Sequence, residues 1–268
     1  MKDKIVIITG ASSGIGKALA YEFGRHGNSV VITGRNKARL EETHSWLTQQ
    51  QIKSMPVVAD VSQERDNEEM VEKVIAEFGR VDVLINNAGM SMRALFSDLQ
   101  LDVFRKVMDI NFMGTVYATK YCLPHILKSK GSIIGISSIV GYRGTPARTA
   151  YSASKYAMQG FMEVLRTEVM KQGVHVLVAC PGFTESNIRF SSYLADGSAQ
   201  GISPREESKM MSAETVARKI FKATVMRKRD LVLTRQGKLV VFLNKWIPGI
   251  MDKVVYNHMA KEADSPFK

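Results

Sequence analysis

Tyr151 and Lys155 stand four residues apart in the stretch AYSASKYAMQGFMEVLRTEVMK, which has helical spacing. Residues so spaced share one helix face, so a phenol and an ammonium can project into the same space. A free tyrosine has a pKa of about 10, too high to exchange protons readily at neutral pH. A nearby cation stabilises the phenolate and lowers that value, and Lys155 is spaced to be that cation. Thirteen residues before Tyr151 comes Ser138, which with Ser137 closes the short apolar run Ile133 to Ile136. A hydroxyl beside the phenol can hydrogen-bond a carbonyl oxygen and stabilise the charge that grows there as hydride arrives. Ser138 is the better placed of the two. A Tyr-x-x-x-Lys pair also arises by chance in an ordinary amphipathic helix, so the elements around it must carry the argument.

The run Ile133 to Ile136 is short enough for a buried strand, and in open parallel sheets ligands sit at the C-terminal ends of the strands. A second such place lies near the N-terminus, where Lys4 to Ile8 reads as a strand, TGASSGIG follows, and a helical stretch KALAYEFGRHG comes next. The spacing of Gly10, Gly14 and Gly16 is looser than G-x-G-x-x-G. The strand before and the helix after supply the context in which Gly10, Ser12, Ser13, Gly14, Ile15 and Gly16 would cradle a pyrophosphate. The next strand, Ser29 to Thr33, leads into Gly34 and Arg35. Dinucleotide folds that use NAD usually carry an acid at about this distance, whereas an arginine accommodates a 2′-phosphate. Gly34 occupies the acid's place, Arg35 follows and Arg39 lies one helical turn on, so NADP(H) is preferred over NAD(H). The plainer alternative is that Arg35 is a solvated surface side chain.

Pro56 to Val61 reads as the third strand, with Asp60 at its C-terminal end either to accept a hydrogen bond from an adenine amine or to cap the next helix, Gln63 to Phe78. Val81 to Asn86 is a fourth strand ending in NNAG, and a long helical region spans Leu101 to Lys128. Asn111 falls inside that region, where its amide can compete for backbone groups and bend the helix. Val174 to Ala179 is another strand, followed by CPGF, and residues 184–211 then turn polar and irregular. A long loop beside a ligand site is often a lid, and 186–211 is expected to be one. Ser212 caps a helix over Glu214 to Lys222, and Asp230 to Leu233 is a last short strand. In the C-terminal tail, 234–268, the run KLVVFLNKWIPGIM is too short and interrupted to span a bilayer. It reads as an amphipathic helix that packs on a partner subunit or over the site, or attaches to a membrane surface.

The alternation of strands with helical patterns predicts one α/β domain over 1–268, a doubly wound parallel sheet of about seven strands with helices on both faces. A chain of 268 residues with 45% apolar side chains can bury the core this needs. Its formal charge is +11, and residues 200–268 carry 14 Lys/Arg against 7 Asp/Glu, so most of the excess lies in the last quarter. That basic quarter is either a solvated face or a place for an anionic partner such as phospholipid or a phosphate-bearing substrate. No nucleic-acid partner is expected. Cys122 and Cys180 show no metal-ligand spacing and read as reduced, buried thiols, so no metal is expected. The N-terminus enters a strand at once without a cleavable leader, and the expected location is cytoplasmic.

TGASSGIG, Asp60-Val61, NNAG, Asn111, Ser138, YSASK and the CPG triplet, in this order, resemble the short-chain dehydrogenase/reductase family over about residues 1–190. The resemblance implies a Rossmann-type fold and an oxidoreductase interconverting a carbonyl and a secondary alcohol. Tyr151 would be the general acid or base, and Ser138 would polarise the carbonyl. Lys155 would also hold the nicotinamide ribose, and Asn111 would position a water in a proton relay. Asp60, Val61, Asn87, Ala88 and Gly89 would line the adenosine side. Pro181, Gly182, Phe183 and Ser186 would steer the nicotinamide end, with Ser186 standing where this family more often has Thr. The basic, apolar tail departs from the compact bacterial members and looks more like that of hydroxysteroid dehydrogenases. This points to a lipophilic, steroid-like or 3-oxoacyl-like substrate. A homodimer through the helices around Leu101 to Lys128 and Ala150 to Lys171 is expected by resemblance, with a tetramer as the alternative. The contrasting reading is a regulatory protein that keeps the cofactor fold without turnover.

Overall fold

The computed structural model describes residues 1–185, 187–203, 210–262 and 265–267. Seven strands form one sheet: β1 (Ile5–Ile8), β2 (Ser29–Gly34), β3 (Ser54–Val58), β4 (Val83–Asn86), β5 (Ser132–Ile136), β6 (His175–Cys180) and β7 (Asp230–Val232). Their order is β3-β2-β1-β4-β5-β6-β7 and every pairing is parallel. Between them run α1 (Gly14–Gly24), α2 (Lys37–Gln49), α3 (Glu64–Phe78), α4 (Leu101–Met108), α5 (Gly114–Ser129), α6 (Thr149–Glu168) and α7 (Ala213–Val225).

The strands read as unbroken Val/Ile runs because both faces of the sheet are covered. Successive side chains point to opposite faces. Val6, Ile8, Val30 and Ile32 therefore pack with Leu19 and Phe23 of α1 and Ile220 of α7. Ile5, Ile7, Val31 and Leu84 pack on the other side with Met70 and Val74 of α3, Ile126 of α5 and Met158 of α6. The chain leaves the β3 edge and returns beside β1 as β4, so the strand order reverses between β1 and β4. Open α/β sheets bind ligands in the crevice such a reversal leaves at the strand tips.

Three expectations shift. β3 ends at Val58 rather than Val61, so Asp60 lies beyond the strand. Pro56 is tolerated inside β3 because that strand is at the sheet edge and pairs with β2 alone. The region Leu101 to Lys128 is not one regular helix, since a π-helical turn, Asp109–Met113, separates α4 from α5. The tail forms two helices, α8 (Arg235–Trp246) and α9 (Pro248–Ala260). Pro248 starts α9, where its missing N–H costs nothing, and it cannot continue α8. Met251, Val255 and Met259 of α9 pack against Val240 and Leu243 of α8.

Candidate active site

At the strand reversal, the ends of β1 and β4 are tied together by side chains from both. The Thr9 hydroxyl accepts the backbone N–H groups of Asn87 and Ala88, both at 3.0 Å. The Asn87 amide donates back to the carbonyls of Thr9 and Gly10 at 2.9 and 3.1 Å. NNAG thus holds the glycine turn as well as lining the crevice. Gly10 sits at φ +65°, a left-handed conformation that favours glycine. A Cβ on Gly16 would overlap the Gly10 carbonyl oxygen and press on the Asn87 amide. Ser13 at the N-cap of α1 makes no side-chain capping bond, so the first-turn amides stay free for an anion. A bare glycine turn leading into an uncapped helix start fits a dinucleotide pyrophosphate.

From this turn a cavity of about 780 Å³ runs across the strand tips to the tail. Every described residue expected to bind cofactor lines it: the Gly10 to Gly16 set, Arg35, Arg39, Asp60, Val61, Asn87 to Gly89, and Pro181 to Phe183. Ser186 lies outside the described residues, as does 204–209 of the expected lid. Asp60 does not cap α3, whose N-cap position is Gln63. Its Oδ1 accepts the Ser62 N–H and hydroxyl at 3.0 and 2.7 Å, shaping the turn into α3. Its Oδ2 lies 3.7 Å from the half-exposed Arg35 guanidinium on the cavity rim. A Cβ at Gly34 would make only ordinary contacts with Ser12 and Leu40, so the missing acid at this position is not imposed by space.

Ser138, Tyr151 and Lys155 share the same cavity. Ser138 follows β5 in extended backbone, and Tyr151 and Lys155 lie in the first two turns of α6 as the spacing predicts. Ser137 is engaged elsewhere, accepting the Gln159 amide at 3.0 Å and contacting the Lys155 carbonyl at 3.4 Å. That leaves Ser138 as the hydroxyl beside the phenol. The buried Lys155 ammonium donates to the Ile136 carbonyl at 2.8 Å and lies 5.8 Å from the Tyr151 ring centre. Burial lowers its pKa from 10.5 to about 8.

Burial raises the Tyr151 pKa above its ordinary 10, opposed first by the Ser138 hydroxyl and then by the positive charge of Arg148 and of Arg189. The spacing argument assigned that acidifying role to Lys155. In the folded chain the positive charges that oppose burial at Tyr151 are those of two arginines in place of Lys155, and neither belongs to a motif. Arg148 immediately precedes α6, and its guanidinium donates to the Ser91 hydroxyl and the Met92 carbonyl at 3.0 and 2.9 Å. Arg189 comes from the loop after β6 and donates to the Thr184 carbonyl. Position three before Tyr151 was a signal available for Arg148; none existed for Arg189.

Asn111 sits behind the cavity wall, fully buried in the π-turn. Its amide group is spent on neighbours rather than on its own helix: Oδ1 accepts the Met90 N–H at 2.8 Å, and Nδ2 donates to the Met90 carbonyl and the Ser154 hydroxyl, each at 2.9 Å. It therefore pins α6 to the chain after β4, and a water in a relay would have to meet its backbone carbonyl instead. That carbonyl accepts the Thr115 hydroxyl at 2.9 Å.

The far end of the cavity is walled by the tail. Val240 of α8 and Met251, Val254, Val255 and Met259 of α9 face it. Of the alternatives open for the tail, packing over the site is realised. Asn244 donates to the Tyr142 carbonyl at 3.0 Å, and Arg143 donates to Asp252 at 2.5 Å, so the hairpin is fastened to the segment that joins Ser138 to Tyr151.

A parallel doubly wound sheet with a glycine turn and a Ser-Tyr-Lys trio in one crevice defines an oxidoreductase with a nucleotide cofactor. The model of the short chain dehydrogenase family matches residues 4–195. The chain belongs to the short-chain dehydrogenase/reductase family. It is 36% identical over 271 residues to dehydrogenase/reductase SDR family member 7B of Mus musculus, spanning 99% of this chain and 84% of that one. It is 34% identical to family member 7 of Homo sapiens, over 92% of this chain and 75% of the other. Among solved structures, a family member from Burkholderia phymatum in complex with NAD superposes with a TM-score of 0.84 at 22% identity, covering 93% of this chain and 95% of that one. An alcohol dehydrogenase from Thermococcus sibiricus complexed with 5-hydroxy-NADP gives 0.73 at 24%, over 87% and 96%. At these identities the two structures speak for the fold.

Proposed function

We propose that the protein is an NADP(H)-dependent enzyme interconverting a carbonyl and a secondary alcohol on a lipophilic substrate. The observation that carries this is one cavity with the glycine turn at one end, Ser138, Tyr151 and Lys155 at its middle, and at the other a wall from α8 and α9 that is apolar apart from Gln236 and His258. A bound nicotinamide dinucleotide supplies or takes the hydride. Ser138 donates a hydrogen bond to the carbonyl oxygen, and Tyr151 passes its proton to that oxygen as the carbon is reduced; the reverse direction returns it. Lys155, fixed on the Ile136 carbonyl, places a positive charge beside the phenol and the ribose. Orientation of the two reactants supplies most of the rate.

NADP(H) is supported by Arg35 and Arg39 at the cavity rim and by Gly34, which puts no carboxylate at the end of β2, although Asp60 lies 3.7 Å from Arg35. A lipophilic substrate is supported by Met90, Met211, Met251 and Met259 in the cavity lining, since flexible thioethers adapt to irregular apolar shapes. The described part of the loop, 187–203, closes one side through Arg93 N–H to the Tyr193 carbonyl at 2.7 Å, and we assign it the role of lid. A homodimer is supported by the outward stripe Tyr156 and Val164 on α6, one on each side of the open position Gly160. Two buried, free thiols, Cys122 and Cys180, suit a reducing compartment such as the cytoplasm. Titration with NADPH and NADH side by side, then turnover across a panel of apolar ketones, tests the reading. Tight NADPH binding with no oxidation by any ketone would instead indicate the regulatory alternative.

A further inference from the structure

The hairpin of α8 and α9 has a second face, which points to solvent. Leu239, Phe242 and Trp246, at i, i+3 and i+7 of α8, are 56%, 60% and 67% exposed, and Ile250 of α9 is 58% exposed. Phe242 and Trp246 lie beside one another, ring centres 6.5 Å apart. Soluble surfaces scatter single apolar side chains, whereas a contiguous aromatic stripe on an outer helix face marks a contact. The charge around it is of one sign. Arg235, Lys238, Lys245 and Lys253 are all exposed on the same two helices, and their single acid, Asp252, is engaged by Arg143. At 100° per residue, Arg235 falls within the Leu239–Phe242–Trp246 stripe, and Lys238 and Lys245 flank it on one side. A stripe of Trp, Phe and Leu bordered by lysines is the pattern of a helix lying in a bilayer interface, its apolar side in the acyl boundary and its cations on anionic headgroups. Among the described residues no helix is long and apolar enough to cross a membrane, so the contact is with a surface.

The position of this face gives it a use. Val254 is half-exposed and also lines the cavity, so the outer face runs directly into the cavity wall. Val240, Met251 and Val255 continue it as apolar lining of the cavity that also holds Tyr151.

We infer that the outer face of the α8–α9 hairpin docks on an anionic lipid bilayer and that the apolar substrate passes from the bilayer into the cavity beside Val254. The docking stands on the surface alone; the passage of substrate rests on the proposed reductase reading.

The test uses the full chain with vesicles of phosphatidylcholine alone or containing phosphatidylglycerol, read by co-sedimentation, which needs no turnover. Docking is expected on the anionic vesicles, weakened at least tenfold by 0.5 M salt, by Phe242→Ser with Trp246→Ser, and separately by Lys238→Glu with Lys245→Glu. All four positions are exposed, so the fold tolerates the changes, and NADPH binding in solution is expected to stay unaltered in both variants. No sedimentation with either vesicle, or equal sedimentation with both, overturns the docking. Self-association that the Phe242/Trp246 variant abolishes, without vesicle binding, overturns it too and assigns the face to a second copy. With docking established, an apolar ketone held in anionic vesicles is expected to be reduced several-fold more slowly by both variants while a water-soluble ketone is not. Equal loss on the two ketones overturns the passage and leaves the docking, and no reduction of either by the wild type points to failure of the reductase reading.

Discussion

At Tyr151 the opposition between burial and neighbouring cations sets what the phenol can do. Its raised pKa keeps the proton on through neutral pH, which favours giving it to a carbonyl. Alcohol oxidation should therefore climb steadily between pH 7 and 10, while ketone reduction stays level over most of that range; parallel pH–rate profiles check this. Tyr151→Phe removes the proton donor and should lower turnover by about 10²–10⁴-fold while leaving NADPH affinity within about twofold, by single-turnover kinetics and titration. Lys155 titrates in the opposite sense. Because its folded pKa, about 8, lies below the ordinary 10.5, the unfolded chain holds that proton more tightly. The stability linked to it is complete above pH 10.5 and is lost as pH falls through about 8. The melting temperature of the cofactor-free wild type should thus rise relative to Lys155→Met between pH 7.5 and 10. A difference that stays constant over that range would show that the ammonium is not desolvated.

Among the elements, the β1–α1 turn and the tail hairpin govern different ends of the cavity. Replacing Gly16 by Ala forces a methyl into the Gly10 carbonyl and the Asn87 amide, backbone and a fixed side chain that cannot yield freely. NADPH binding should weaken at least tenfold, measured by fluorescence titration. At the end of β2, Gly34→Asp combined with Arg35→Ala should shift preference toward NADH, since the new carboxylate has space, accepts ribose hydroxyls and repels a 2′-phosphate. An unchanged NADPH/NADH ratio would remove Arg35 from the binding site. The hairpin is held by the Asn244 amide, bonded to the Tyr142 carbonyl and to Arg143, by an Arg143 ion pair whose Asp252 is largely exposed, and, just past α9, by the buried Arg93–Glu262 pair at 3.6 Å. Asn244→Ala should accordingly speed proteolysis after Leu233 several-fold and raise KM for apolar ketones without altering cofactor affinity.

For the molecule as a whole, one sheet supports two working ends whose parts are far apart in the chain. The nucleotide end is built from residues 10–89, and the reacting trio from 138–155. The far wall of the cavity comes from 240–259, fastened by Arg143 and Tyr142 to the trio's own segment. The uneven charge has a place in this plan: the basic residues of the last quarter include those that ring the outer face of the hairpin. If α6 forms the dimer contact, Val164→Glu should yield a monomer by light scattering, because a carboxylate in an apolar interface is costly to bury.

The glycine turn, NNAG and Ser138 were legible in the sequence because each sits within a few residues of a strand end, and a parallel sheet brings all strand ends to one edge; Tyr151 and Lys155 were legible from their helical spacing. The doubly wound fold followed from the alternation of apolar runs with helical periods. The tertiary structure alone decided which surface the tail covers, that the charge of Arg189 acts on the Tyr151 phenol, and that Asn111 spends its amide on Met90 and Ser154. It also divided the long helix with a π-turn and moved Asp60 past the end of β3. The physical reason is range. Periodicity and capping act over a turn or two of chain and are written locally, whereas these contacts join segments about twenty to a hundred residues apart and depend on how whole elements pack.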